Sequence, residues 1–108
     1  MKIKVAITQM SCSSNYEENI KKADEMIEKC VQNGANIVLL QELFSNLYFC
    51  QVEDYDKFSL AEPKEKSNLI SHFKEIAKKH NVVLPISFFE KSGNNYFNSL
   101  VMIDADGK

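Results

Sequence analysis

The sequence predicts an α/β fold in which a parallel sheet carries an antiparallel hairpin. Apolar runs of strand length alternate with segments whose apolar residues recur every three or four positions, which is the helical period. The last two predicted strands are separated only by the short turn Ser92-Gly93-Asn94, which is typical of a hairpin. The order strand, helix, strand, loop, helix, strand, strand therefore implies parallel crossovers followed by one hairpin.

The first predicted strand spans residues 4–9, where the unbroken run Val5-Ala6-Ile7 indicates a buried position. A polar loop follows and offers the first helix two capping registers, Ser14 with Glu17 or Asn15 with Glu18. The helix itself is predicted from an apolar stripe with spacings of three and four. The members of this stripe are Ile20, Ala23, Met26, Ile27, Cys30 and Val31.

The first helix is predicted to end at Asn33-Gly34, because glycine is common just past a helix C-terminus. The apolar run at residues 36–40 is the second predicted strand, and a carboxylate, Glu42, follows it closely. Residues 43–62 show no clear period and interleave aromatic with acidic side chains. Such a long loop in a compact domain is usually functional, and its aromatic content argues against disorder.

The second half of the chain reads as a helix and two strands. Pro63 is predicted to open the second helix, and Asn81 to end it. Residues 82–90 form the third predicted strand, in which Pro85 lacks a ladder donor and therefore indicates an edge position or a bulge. Residues 96–104 form the fourth predicted strand.

The composition excludes several classes of function. The 108 residues fit one domain or a piece of one, and 44% hydrophobic with 26% charged residues is ordinary for a globular protein. A net charge of −2, with lysine as the only strongly basic residue type, gives no electrostatic footprint for nucleic acid or an anionic membrane. No apolar run approaches the roughly 20 residues of a membrane span, and Gln9 interrupts the first one too early for a signal peptide. We therefore expect a cytoplasmic protein with neither nucleic-acid nor membrane partners.

The cysteines Cys12, Cys30 and Cys50 form no recognisable framework. They are odd in number and widely spaced, which argues against both a disulfide pattern and a zinc site, and reduced thiols are expected. Cys30 lies on the stripe of the first helix and should belong to the core. Neither Cys12, in the loop after the first strand, nor Cys50, in the long loop, is predicted to be a nucleophile.

Glu42 is the strongest candidate for chemistry. In open α/β sheets, sites form in the crevice beyond the carboxyl ends of the strands, and Glu42 lies at such an end. A strand that delivers one acid to its tip is a common way to place a catalytic base. On sequence pattern alone, a solvated surface acid remains the commoner interpretation.

The other polar candidates carry less weight. His72 lies off the stripe of the second helix and should be solvated, while His80 lies near its C-terminus, where a charged imidazole is favourable. With both histidines on one helix, a Cys–His catalytic pair has little support. Asn98 and Ser99 place polar side chains in an apolar strand, where structural hydrogen bonding is a better expectation than catalysis.

Four segments are similar to a known family, namely residues 4–10, 35–51, 82–90, and 96–99 together with 103–107. The motifs Gln41-Glu42-Leu43-Phe44 and Tyr48-Phe49-Cys50-Gln51 in the second segment are the most specific. With these motifs the chain resembles the nitrilase superfamily of carbon–nitrogen hydrolases, and within it the N-carbamoylputrescine amidohydrolase group. The resemblance covers the whole chain but only about the first third of a family domain. Residues 1–108 are therefore expected to be the N-terminal portion of a single domain that continues past the Asp106-Gly107 turn.

This resemblance implies an αββα sandwich, in which two sheets pack face to face with helices outside. It also implies a Glu–Lys–Cys triad that works without a metal or an organic cofactor. Glu42 occupies the position of the triad's glutamate, and the lysine and cysteine would lie beyond Lys108. Tyr48, on the loop after Glu42, would either bind substrate or pack within the loop. Phe44 and Phe49 are expected to pack.

In such a triad Glu42 would take the proton of the cysteine thiol and pass it to the leaving amine, while the lysine stabilises the oxyanion. The same glutamate would then activate the water that hydrolyses the thioester. The implied partner is a small carbamoyl amine or amide, above all N-carbamoylputrescine, and the family implies a homo-oligomer. A related amidase, nitrilase or β-ureido acid hydrolase is an alternative, as is a non-catalytic module that keeps part of the fold.

Overall fold

The computed structural model describes residues 2–45 and 60–108. These residues form four strands and two α-helices in the predicted order. The bounds are Val5–Ile7 for β1, Tyr16–Gln32 for α1, Ile37–Leu39 for β2, Asn68–His80 for α2, Leu84–Ser92 for β3 and Asn95–Ile103 for β4. A short 3₁₀ helix, Lys64–Lys66, precedes α2. Within the described residues, no helix has the length and apolar character that crossing a membrane requires.

The described strands form two two-stranded sheets, β1–β2 and β3–β4, and an isolated bridge between β2 and the residue before β3 joins them in the order β1, β2, β3, β4. Ile37 of β2 pairs in parallel with Val5 of β1 on one side and with Val83, just before β3, on the other. β3 and β4 form an antiparallel hairpin whose register begins with Leu84 opposite Ile103 and continues to the turn. The predicted combination of parallel crossovers with an attached hairpin is therefore confirmed.

Pro85 explains why β2 and β3 pair so briefly. Val83 donates its N–H to Asn36 O at 3.0 Å and accepts a hydrogen bond from Val38 N at 3.1 Å. In a parallel ladder the next donor from this strand toward β2 would be residue 85, and proline has no N–H. The pairing with β4 meanwhile continues past Pro85, opposite Met102, without a bulge. The edge position that the sequence indicated is correct for the β2 side, and the alternative of a bulge is wrong.

The first helix uses the second of its two predicted capping registers. The Asn15 side chain accepts a hydrogen bond from Glu18 N at 3.1 Å, which pairs one of the free N–H groups of the first turn. At the other end, Asn33 caps the helix and Gly34 adopts a φ of +89°, a conformation open to glycine without strain. The side chains buried along α1 are Asn19, Ile20, Ala23 and Ile27.

The second helix begins later than predicted. Pro63 leads only into the 3₁₀ helix, and Ser67 is the true N-cap, since its hydroxyl accepts a hydrogen bond from Ile70 N at 3.2 Å. The predicted start at Pro63 is wrong because the serine hydroxyl pairs the first free helix N–H further along the chain. The predicted end is correct, as Asn81 caps the helix with a φ of +52°.

The hydrophobic core lies between the two helices and one face of the sheet. Phe44, after β2, and Phe73 of α2 are fully buried and pack edge to face with ring centroids 5.4 Å apart. Ile27 of α1 and Ile86 of β3 are fully buried in the same cluster. Phe44 therefore packs, as the sequence predicted.

The opposite side of the sheet, here called the open face, is uncovered in the described part of the chain. It is formed by the exposed side chains of Val5, Ile7, Leu39, Leu100 and Met102. The predicted burial of the first strand is wrong, because Val5 is 59% exposed and Ile7 is 78% exposed. Only Ala6, which points the other way between them, packs against the core.

Candidate active site

Glu42 lies just past the end of β2 in a groove on the open face. The groove has a volume of about 590 Å³. Besides Glu42 it is lined by Ile7, Thr8, Gln9, Leu39, Leu40, Gln41, Ser87, Asn98, Ser99 and Leu100. The prediction that Glu42 stands beyond the carboxyl end of a strand is therefore confirmed as geometry, and its catalytic role stays a prediction.

The carboxylate of Glu42 has one partner from the far end of the described chain. Asn98 of β4 donates a hydrogen bond from Nδ2 to Glu42 Oε1. Both side chains are solvent-exposed at the groove. The sequence predicted Asn98 to be a structural hydrogen-bond partner, and the structure makes the candidate base itself the group that it contacts.

The backbone turns sharply directly after Glu42. Leu43 is buried and adopts a φ of +50°, a left-handed conformation that a residue other than glycine rarely takes. Its N–H donates to Ser87 Oγ of β3 at 3.0 Å. Such a conformation costs on the order of 1–3 kcal/mol and persists only where the surroundings hold it. Burial of the leucine and the bond to Ser87 supply that support here.

The residue before Glu42 is held from the opposite side. Gln41 Oε1 accepts a hydrogen bond from Met10 N at 2.9 Å, and Gln41 Nε2 donates to Cys12 Sγ at 3.2 Å. The Cys12 thiol in turn donates to Phe44 O at 3.1 Å. These bonds tie the loop after β1 to the turn that carries Glu42. The carboxylate therefore sits between two neighbours, of which Gln41 is held by the loop after β1 and Leu43 by Ser87 of β3.

Cys12 lies close to the site but is poorly suited to act as a nucleophile. Burial raises the pKa of the Cys12 thiol, and the positive charge of Lys22 offsets only part of this effect. The thiol therefore stays protonated near neutral pH, in the form that donates to Phe44 O. This agrees with the prediction that Cys12 is not the nucleophile, because the thiolate is the reactive species.

One buried polar atom near the groove lacks a partner in the described part of the chain. The hydroxyl oxygen of Thr8 is buried and has no hydrogen-bond partner among the described residues, although buried hydroxyl groups are usually paired.

The histidines take no part in the site. His72 was predicted to be solvated, and its side chain is indeed 37% exposed, but it also has partners that the sequence did not indicate. Its Nε2 lies 2.8 Å from Asp24 Oδ2 of α1, and its ring packs edge to face on Phe73. His80 ends α2, as predicted. The described residues contain no group of three or more His, Cys, Asp or Glu side chains that could hold a metal.

Three predicted features of the long loop lie outside the described residues. They are the possible substrate contact Tyr48, the packing residue Phe49 and the thiol of Cys50. Their roles therefore stay predictions.

Sequence reasoning missed Gln41 and Ser87, which hold the residues on either side of Glu42. Ser87 did carry a signal, because it is a polar residue within an apolar strand segment, as Asn98 and Ser99 are. Gln41 belongs to a motif that carries the family resemblance, but nothing in the sequence indicated that its side chain would bond the loop after β1.

The sequence of this chain is similar to those of known proteins. Residues 4–108 match the sequence profile described as carbon–nitrogen hydrolase. An N-carbamoylputrescine amidase of Oryza sativa subsp. japonica is 43% identical over 106 residues, which are 98% of this chain and 35% of that protein. A citrullinase of Francisella tularensis is 46% identical over 105 residues, which are 97% of this chain and 37% of that protein.

Solved structures show the same fold. A carbon–nitrogen hydrolase from Helicobacter pylori G27 matches with a TM-score of 0.88 and 32% identity, over 98% of this chain and 37% of that one. Saccharomyces cerevisiae Nit3, a member of branch 10 of the nitrilase superfamily, matches with a TM-score of 0.77 and 27% identity, over 98% of this chain and 41% of that one. The chain thus spans little more than a third of the length of these relatives.

Proposed function

Because the chain belongs to the carbon–nitrogen hydrolase family, we propose that the protein hydrolyses a non-peptide C–N bond with Glu42 as its general base. The described strands and helices have the fold of the N-terminal part of the nitrilase superfamily. The observation that carries the proposal is the position of Glu42, past the carboxyl end of β2 in a groove, with one carboxylate oxygen bonded to Asn98.

The proposed reaction needs two further groups, a cysteine and a lysine, which we assign to parts of the protein beyond Lys108. Glu42 takes the thiol proton, and the thiolate attacks the carbonyl carbon. The C–N bond of the tetrahedral intermediate breaks, and the proton on Glu42 goes to the leaving nitrogen. Water then gives a proton to Glu42 as its oxygen attacks the thioester carbonyl, and that proton returns to the departing sulfur. The lysine stabilises the oxyanion in both halves of the reaction.

The favoured substrate is N-carbamoylputrescine, with putrescine, carbon dioxide and ammonia as products. The N-carbamoylputrescine amidases among the relatives support this choice. Citrulline is the second candidate, because the citrullinase is at least as similar to this chain. Both compounds present a terminal ureido group on an alkyl chain, and the aliphatic side chains of Leu39, Leu40 and Leu100 in the groove suit such a chain.

A panel of substrates separates these candidates. Ammonia release by the intact protein would be measured with N-carbamoylputrescine, citrulline, a β-ureido acid and a simple aliphatic amide. The proposal expects the highest kcat/KM with N-carbamoylputrescine. A preference for citrulline would replace the substrate and keep the chemistry. No release from any member of the panel would overturn the hydrolase and favour a non-catalytic module.

The other expectations for the intact protein also stay proposals. We propose a cytoplasmic homo-oligomer that acts without a metal or organic cofactor. The family supports the chemistry without a cofactor, since a thiolate, a carboxylate and an ammonium group supply every proton and charge that the reaction needs.

A further inference from the structure

We propose that Asn98 is a positioning residue for the catalytic base, and that the β3–β4 hairpin thereby sets the orientation of the Glu42 carboxylate. This inference rests on the proposed function, since it gives Asn98 a role through Glu42 and not through the substrate. The motivating contact is the hydrogen bond from Asn98 Nδ2 to Glu42 Oε1, which joins β4 to the end of β2.

The contact gives the two carboxylate oxygens of Glu42 different roles, one as a hydrogen-bond acceptor and the other as the site of proton transfer. A glutamate carboxylate turns easily about its terminal torsion, so an exposed one samples many orientations. A donor fixed on Oε1 holds the plane of the group and leaves Oε2 of Glu42 free to exchange a proton. An amide suits this task because it donates without adding a charge, so no ion pair competes with proton transfer.

The β3–β4 hairpin holds the Asn98 donor in a fixed position. Asn98 lies within β4 opposite Phe89, and the register runs without interruption from the turn to Leu84 opposite Ile103. Gly93 closes the turn with a φ of +60°, which suits a two-residue hairpin loop. The position of Asn98 is therefore set by backbone pairing along the whole length of both strands.

The same hairpin also fixes the backbone next to Glu42. Ser87 lies opposite Leu100, two residues along β4 from Asn98, and both polar residues line the groove. Ser87 Oγ accepts the N–H of Leu43, whose left-handed conformation turns the chain just after Glu42. One rigid element thus holds both the carboxylate and the peptide unit beside it. Displacements of about 1 Å at a reacting group can cost roughly 100-fold in rate, so this control matters for catalysis.

The test uses steady-state kinetics of the intact protein on the best substrate of the panel. Asn98→Ala should lower kcat about 10- to 100-fold through misorientation of the base, with KM within about threefold of wild type. Asn98→Asp should lose at least as much, because a second carboxylate repels Glu42 instead of donating to it. Asn98→Gln keeps the amide and should recover part of the loss. Asn95→Ala, on the same strand but outside the groove, is the matched control and should behave as wild type.

Melting temperatures of all variants accompany the kinetics. Asn98 lies outside the hydrophobic core cluster, so its substitutions should leave the fold intact. If Asn98→Ala nevertheless fails to fold, the near-isosteric Asn98→Asp variant decides the matter. Wild-type kcat in Asn98→Asp would overturn the positioning role, and so would a raised KM with unchanged kcat. Glu42→Gln separates the two proposals, because an inactive Glu42→Gln beside a fully active Asn98→Asp would remove only the role of Asn98. An active Glu42→Gln would remove both.

Discussion

The two faces of the sheet are built by the same strands and have opposite properties. On the face toward the helices, Val38 and Ile86 are fully buried beneath α1 and α2. On the open face, Ile7 is 78% exposed and Leu100 is 58% exposed. Alternate residues of a strand point to opposite sides, so a single strand contributes to both faces. The helix face therefore supplies the stability of this segment, and the open face carries Glu42.

The apolar character of the open face has a consequence for the intact protein. If this sheet face served only as a reaction site, its exposed valine, isoleucine, leucine and methionine side chains would have no role. Their presence indicates a surface that is covered by other structure, and the chain spans only 35% of the similar amidase from Oryza sativa subsp. japonica. We propose that the second layer of the αββα sandwich covers this face and closes the groove over Glu42.

The largest expected effect follows from exposing the open face. Residues 1–108 produced alone should self-associate, because contiguous apolar patches of this kind drive association. Ile7→Lys combined with Leu100→Lys should reduce this association, whereas Lys79→Glu on the outer surface of α2 should not. Sedimentation velocity measures the distribution of species. A monodisperse wild-type monomer with a cooperative melt would show that the open face needs no cover.

A substitution on the sheet face toward the helices, or on the helices that cover it, should instead have a large effect on folding stability. Phe73→Ala in the intact protein should lower the free energy of unfolding by about 3–5 kcal/mol, because it empties the centre of the core beside Phe44. Ile76→Ala, at a half-buried position on the same helix, is the graded control and should cost less. Urea denaturation measures both. Equal costs would mean that the core does not centre on Phe73.

A smaller effect should appear at alkaline pH. Burial, with the nearby carboxylates of Glu62 and Glu17, raises the pKa of Tyr16 from 10.0 to about 12. The folded protein thus holds this proton more tightly than the unfolded chain, so the stabilisation is complete below about pH 10 and is lost as the pH rises toward 12. Tyr16→Phe has no proton to lose there. Thermal melts of both proteins across this range should show a steeper decline for wild type, and parallel declines would contradict the assignment.

The order of the helices and strands could be predicted because the spacing of apolar residues that distinguishes them is a local property of the sequence. The stripe that predicted α1 contains Ile20, Ala23 and Ile27, which are the apolar side chains that α1 buries. The predicted start of α2 was wrong, because Pro63 suits the first turn of a 3₁₀ helix as well as that of an α-helix. Only the hydroxyl of Ser67 decides where the α-helix begins. The predicted burial of β1 was wrong for a different reason. A strand sequence does not say which of its faces a remote segment will cover.

The candidate site likewise has one part that the sequence predicted and another that it did not. Glu42 could be found from sequence because a strand end and a carboxylate are adjacent in the chain. Its partners could not, since Asn98 lies 56 residues away and Ser87 lies 44 residues from Leu43. These contacts depend on the register of the β3–β4 hairpin and on how the hairpin meets β2. The turn at Gly93 sets the register of the hairpin, but no local pattern fixes how the hairpin meets β2.

The claim that the open face carries the chemistry through Glu42 is tested most directly by the rate of ammonia release from the intact Glu42→Gln protein. The substitution keeps the size of the side chain and removes its capacity to take a proton. We expect kcat to fall at least about 100-fold with an unchanged melting temperature, because the general base is lost. Glu75→Gln, an exposed acid on α2, is the matched control and should retain wild-type activity. A Glu42→Gln protein that releases ammonia at the wild-type rate would show that Glu42 is not the general base.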